Sequence, residues 1–101
     1  MRNTYSQEQI IKAKSIAKTV GDTSNVLILY ELMNFGDKSF NELKRMTDIN
    51  AVTLSKKLTF LKSEGLVGCR RFGVENHYFT TSKCEDYRPL VRLIERLVIK
   101  K

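Results

Sequence analysis

Histidine, cysteine and proline are scarce in this 101-residue chain, and each scarcity closes off a class of function. His77 is the only histidine, and Cys69 and Cys84 are the only cysteines. A metal site built on Cys69, His77 and Cys84 would need at least one further ligand and a defined geometry, so no metal is expected. Two cysteines also make no disulfide framework, and a reduced, cytoplasmic protein is the expectation. The chain has no H-E-x-x-H, no glycine-rich phosphate loop, and no Ser/His/Asp or Cys/His constellation. No catalytic residue, cofactor or enzymatic activity is therefore assigned. The longest unbroken apolar run is Val26-Leu27-Ile28-Leu29-Tyr30, far short of the roughly 20 residues that cross a bilayer. The opening residues MRNTYSQEQ carry no apolar signal-peptide core, and no membrane partner is expected.

Positive charge is what the chain has in excess. Lys and Arg number 18 against 11 Asp and Glu, for a net +7. An excess of that size in a small domain points first to a polyanion, usually nucleic acid. Solubilising surface charge is the alternative. Residues 37–63 carry the largest share, +3, and no segment is a pure basic tail. At 42% apolar the chain can build one modest core as a single domain.

That same basic stretch, SFNELKRMTDINAVTLSKKLTFLKSEG from Ser39 to Gly65, reads as two short helices around a tight turn. Ser39 and Glu42 form an S-x-x-E capping box. Phe40, Leu43 and Met46 give the first helix an apolar face. Thr47-Asp48-Ile49-Asn50 interrupts the pattern with residues that cap a new helix. Leu54, Leu58 and Leu61 then fall at i, i+4, i+7, with Lys56, Lys57 and Lys62 off that face. This is a helix-turn-helix outline with a basic second helix.

Upstream, Ser6-x-x-Gln9 opens a helix to about Thr19, with Ile10, Ala13, Ile16, Ala17 and Val20 in one stripe that packs on the domain or on a second copy. Thr23 or Ser24 caps a nearly all-apolar helix from Asn25 to about Phe35, expected to be central and stopped by a left-handed Gly36. Downstream, two β-prone runs around Gly73-Val74-Glu75-Asn76 read as a hairpin. A hairpin directly after a helix-turn-helix is the wing of a winged helix, and Arg70 and Arg71 lie on it. His77 can fall near Cys69 in that hairpin. A last helix runs from Ser82 or Lys83 to Ile99, capped by Thr81. Pro89 either kinks it or starts its main part. Its stripe of Leu90, Leu93, Ile94, Leu97 and Val98 is more apolar than a solvated helix needs. Pairing both terminal helices across a two-fold axis would bury these stripes; folding both back on one core is the monomeric alternative.

Leu27-Ile28-Leu29-Tyr30-Glu31-Leu32 is followed by the F-x-E-L-x-R segment Phe40-Asn41-Glu42-Leu43-Lys44-Arg45. Leu54, Leu58, Leu61, Glu64, Gly65, Leu66 and Val67 come next, and then Tyr78, Thr81 and Pro89. In this order and nearly without gaps, these pieces resemble the HxlR-type winged-helix transcription regulators from Val26 onward. MarR and ArsR types share the scaffold. The resemblance implies a homodimeric, cytoplasmic, DNA-binding regulator whose first and last helices form the dimer interface. The chain departs from the family at two places. Asp22-Thr23-Ser24-Asn25 stands where Gly-Lys-Trp usually opens the central helix. No cysteine precedes that helix, so the oxidant- or aldehyde-sensing role of that residue does not transfer.

The expected fold is mainly α with a small β-hairpin, a winged helix-turn-helix dimerising through its terminal helices. Its parts are an N-terminal dimerisation helix (1–21), a central helix plus helix-turn-helix (23–65), a wing (66–81) and a C-terminal dimerisation helix (82–101). With the three leucines inward at 100° per residue, the outer face of the second helix offers base contacts from Ala51, Val52, Thr53, Ser55 and Lys56. Phosphate contacts fall to Ser39, Lys57, Thr59, Lys62, Arg70 and Arg71. Dimer contacts fall to Ile10, Ile16, Leu90, Leu93, Ile94 and Leu97. Phe60, apolar on a flank that should be wet, packs on the first helix or the wing, or meets a partner protein.

The partner is then double-stranded DNA, bound by a homodimer as a sequence-specific regulator; no effector is named by the sequence. Alternatives are a winged-helix protein-docking module and a non-specific architectural DNA coat. If DNA is the partner, duplex binding should weaken steeply with salt, with a log–log slope near −0.9 per phosphate neutralised. A salt-insensitive affinity in fluorescence anisotropy would leave the charge as mere solubilisation.

Overall fold

Capping side chains set the starts of the first four helices in the computed structural model, which describes residues 4–99. Helix α1 (Gln7–Val20) opens on Ser6, whose hydroxyl accepts from the Gln9 N–H while the Gln9 side chain accepts from Ser6 N–H. Helix α2 (Thr23–Phe35) starts one or two residues earlier than its pattern suggests. Its cap is Asp22 rather than Thr23 or Ser24, with Asp22 Oδ1 accepting from Asn25 N–H at 3.1 Å. A carboxylate is the stronger acceptor for the partial positive charge of a helix start. Gly36 ends α2 at φ 85, ψ −172, an extended conformation with positive φ rather than the left-handed helical well. Glycine alone adopts it without strain, and it turns the chain into a two-residue strand, β1 (Lys38–Ser39), too short to leave a sequence pattern.

Ser39 ends β1 and caps helix α3 (Phe40–Thr47) through the reciprocal box with Glu42. Asp48, at φ 58, makes the left-handed turn. Asn50 then caps helix α4 (Ala51–Ser63) by accepting from Thr53 N–H at 2.9 Å. Beyond Gly65, strands β2 (Val67–Phe72) and β3 (Glu75–Thr80) pair antiparallel around a two-residue Gly73-Val74 turn. Gly73 has φ 62, and Val74 is not among the positive-φ residues, the pattern of a type II′ turn. The sheet order is β1-β3-β2.

A 3-10 segment (Ser82–Tyr87) follows, then helix α5 (Arg88–Ile94), whose last turns widen into a π-helical stretch (Glu95–Ile99). Pro89 therefore starts the main helix, where its missing N–H costs nothing. Thr81 makes no side-chain cap. Its hydroxyl donates to the Gly65 carbonyl at 2.5 Å, tying the foot of the wing.

Helix α2 lies at the centre, with Ile28, Leu29 and Leu32 packed among Leu43, Leu54, Leu58, Leu61, Leu66, Val67, Tyr78 and Cys84. Each fully buried leucine contributes about 1.5–3 kcal/mol relative to exposure. Met46 does not join them and is 54% exposed. It sits about 60° around a two-turn helix from Leu43, at an end that no other element covers.

The terminal helices are weakly buried. Thr19 is the one buried residue of α1, and Val91, outside the expected stripe, is the one in α5. Ile10, Ile16, Leu93 and Leu97 are exposed, while Leu90 and Ile94 are half-covered. Among the described residues no helix is long and apolar enough to cross a membrane.

On the outer face of the wing, the Phe79 ring lies over Gly68, where an added Cβ would stand 2.4 Å from the ring. Arg70 stacks on the other part of that ring, 4.5 Å from its centroid. Gly68→Ala should therefore displace Phe79 and cost about 1 kcal/mol, and much less in a Phe79→Ala background. Equal costs in the two backgrounds, by chemical denaturation, would disconnect glycine from ring.

Candidate nucleic-acid interface

The outward side of α4 follows from what its inward side buries. Leu54, Leu58 and Leu61 are sealed in the core. Helical periodicity then turns Ala51, Val52, Ser55, Lys56, Thr59 and Lys62 outward, and all six are exposed. Val52 is 67% exposed, an apolar side chain with no packing partner in the domain. Thr53 is half-covered, as expected beside the Asn50 cap. The Thr59 hydroxyl donates to the Ser55 carbonyl at 2.9 Å, leaving its oxygen free only to accept. A phosphate offers acceptors alone, so Thr59 suits that role poorly. Residues 51–63 contain no Asp or Glu, so the whole face is neutral or positive.

Two expected phosphate contacts are corrected. Ser39 is only 4% exposed, and its hydroxyl oxygen is taken by the Glu42 N–H. Lys57 turns away from the outward face and places Nζ 2.7 Å from Asp22 Oδ2. That ammonium, as hydrogen-bond donor, holds the Asp22 carboxyl below its ordinary range against an opposing effect of burial.

Arg70 and Arg71 occupy successive strand positions and so point to opposite faces of the hairpin. Arg70 is exposed and held by Phe79 on the outer face. Arg71 Nε donates to the Gly73 carbonyl at 3.1 Å, folding the side chain back over the turn. The wing tip itself, Phe72 and Val74, is apolar and exposed.

Sequence reasoning missed Asn41, Lys44 and Arg45, all exposed on α3. With Asp48, Ile49 and Asn50 they line an open depression of about 550 Å³ beside the start of α4. In a helix-turn-helix the first helix is the one that crosses the DNA backbone, and these are its exposed donors. Their signal was present in F-x-E-L-x-R, whose last two residues are basic and off the Leu43 face.

Phe60 is half-buried and packs on the core margin, with the Lys18 ammonium 4.9 Å above its ring. Phe60 thus packs on the first helix, one of the placements expected of it. His77 is opposite Arg70 in the register, whereas Cys69 is opposite Tyr78. The imidazole meets Phe72 edge-on at 5.0 Å and lies 3.4 Å from Glu75 Oε1. Among the described residues no group of three or more His, Cys, Asp or Glu is arranged to hold a metal ion.

The HxlR-like helix-turn-helix profile matches residues 19–100. No curated protein sequence matches the chain. Among solved structures, HlyU from Vibrio cholerae is similar at 23% identity and a TM-score of 0.75, covering 94% of this chain and 100% of that one. The transcriptional repressor BigR from Xylella fastidiosa has the same identity and TM-score, covering 96% and 100%. The homodimeric winged helix-turn-helix DNA-binding domain of Mb0332 from Mycobacterium bovis is 26% identical with a TM-score of 0.68, covering 95% and 89%.

The two thiols differ in reach. Cys84 is buried with Sγ 3.7 Å from Met33 Sδ, and burial pushes its thiol up to about 11. Cys69 is half-exposed on β2. Because the thiolate is the reactive form, one thiol should react with a disulfide reagent at pH 8 in the folded protein and two after denaturation. Two fast-reacting thiols in the folded state would contradict the buried, protonated Cys84.

Proposed function

The chain belongs to the HxlR-like helix-turn-helix family, whose members are non-enzymatic DNA-binding proteins. On that premise we propose that it is a homodimeric, cytoplasmic, sequence-specific regulator that places α4 in the major groove of double-stranded DNA. The observation that carries this is the outward face of α4, exposed and free of carboxylates, with Lys56 among Val52, Ser55 and Thr59. Lys56 can donate to guanine O6 and N7, Ser55 can donate or accept, and Val52 and Ala51 can meet a thymine methyl. Lys44, Arg45, Lys62 and Arg70 are the phosphate contacts that this reading keeps or adds, and Arg71 is a weaker one. Thr53 is left as a flanking contact.

Dimerisation is supported by Ile10, Ile16, Leu93 and Leu97, apolar side chains that the domain leaves 36% to 71% exposed. Their burial between two copies would remove apolar surface at about 25 cal/mol per Å². Half-sites would then lie about 10 bp or a multiple apart. An architectural DNA coat would instead give a long footprint with no preferred site.

Lys56→Ala should cost about 1–3 kcal/mol of specific affinity and less of non-specific affinity. Arg70→Ala should weaken both about equally and reduce the salt slope by about one. Genomic selection followed by footprinting tests the whole reading. Binding no tighter to any genomic fragment than to random DNA would end it.

A further inference from the structure

One stripe of α1, continued by the cap of α2, meets one stripe of α4 in an antiparallel ladder of three rungs. The Ser15 hydroxyl donates to the Glu64 carboxylate. The Lys18 ammonium lies 4.9 Å over the Phe60 ring. The Lys57 ammonium lies 2.7 Å from the Asp22 carboxylate. Ser15 and Lys18 are one step of three apart on α1, and Asp22 follows beyond the helix as the cap of α2. Residues 64, 60 and 57 descend by steps of four and three along α4 and its cap. Those are the steps that keep side chains on one helix face.

Besides these rungs, α1 is held by Asn25 Nδ2 donating to the Lys18 carbonyl at 3.5 Å and by Ile16 and Val20 beside Leu66, Tyr87 and Leu90. Thr19 is its one buried residue, and the Thr19 hydroxyl is spent on the Ser15 carbonyl. The leucines of α4 set how deeply that helix sits, but apolar packing is non-directional. The rungs are directional, and each involves a charged group. Lys57 and Phe60, which look like DNA or partner residues in the sequence, are engaged here instead.

Resting on the dimeric reading above, we infer that this ladder is a positioning device. It fixes the recognition helix against the dimerisation arm, and through that arm it sets the separation of the two recognition helices. Ser15, Lys18, Asp22, Lys57, Phe60 and Glu64 are then positioning residues, which determine the half-site spacing without touching DNA.

The test reads spacing rather than affinity, because removing lysines weakens binding to any DNA. Operators recovered by selection are rebuilt with the half-sites moved by single base pairs. They are then titrated with the wild type, with S15A/K18M/K57M and with K57R. The wild type should favour one spacing over its neighbours by about tenfold, a loss comparable to one mismatched base pair. The triple variant should compress that preference to about threefold or less, while K57R, which keeps the cation beside Asp22, preserves it. Circular dichroism and sedimentation verify a folded dimer. Should the triple variant unfold, S15A/K57M retains the Lys18–Phe60 rung and should show an intermediate compression. An unchanged spacing profile with uniformly weaker binding would overturn the ladder as a positioning device. A wild type with no preferred spacing would bring down the dimeric reading itself, and the ladder with it.

Discussion

The orientation of α4 depends on the burial of three leucines, Leu54, Leu58 and Leu61, against α2 and the foot of the wing. Their spacing decides which face of α4 turns inward, and removing any of them would cost about 2–5 kcal/mol. That is a large part of the stability of a domain this small. Once they are inward, Val52, Ser55, Lys56 and Thr59 must be outward. The outward face of α4 is thus a by-product of the core, which explains why it can carry an exposed valine at no cost to folding.

Features that depend on residues three or four apart were legible in the sequence. The capping boxes at Ser6 and Ser39, the Asn50 cap, the leucine stripe and the centrality of α2 are all of this kind. Features that depend on a distant partner were not. Lys57 looks like a phosphate contact until Asp22, 35 positions away, is brought beside it. Phe60 looks misplaced until α1 lays Lys18 over it. Ser39 is legible as a cap, but that its side chain is nearly sealed from solvent depends on the pairing of β1 with β3, a partner 38 positions away.

The terminal helices show the same division. Their apolar stripes were legible, but which residue anchors α5 was not. Val91 lies off the stripe and plugs the core, and the stripe itself stays largely uncovered. A helix that anchors by one residue and exposes several apolar ones has two jobs on two faces, and periodicity reports only the stronger pattern. Among the cysteines, position rather than number separates the core thiol from the one on the wing.

The foot of the wing is closed by a cluster of hydrogen bonds. Thr81 N–H donates to the Leu66 carbonyl, the Thr81 hydroxyl to the Gly65 carbonyl, and Lys83 Nζ to the Glu64 carbonyl. A hairpin clamped at its neck is insulated from what happens at its tip. Residues can be added, lost or exchanged around Gly73-Val74 while the end of α4 stays where it is. The wing is thereby free to diverge at its tip, and the two surfaces that such a domain turns toward a duplex can change independently of one another.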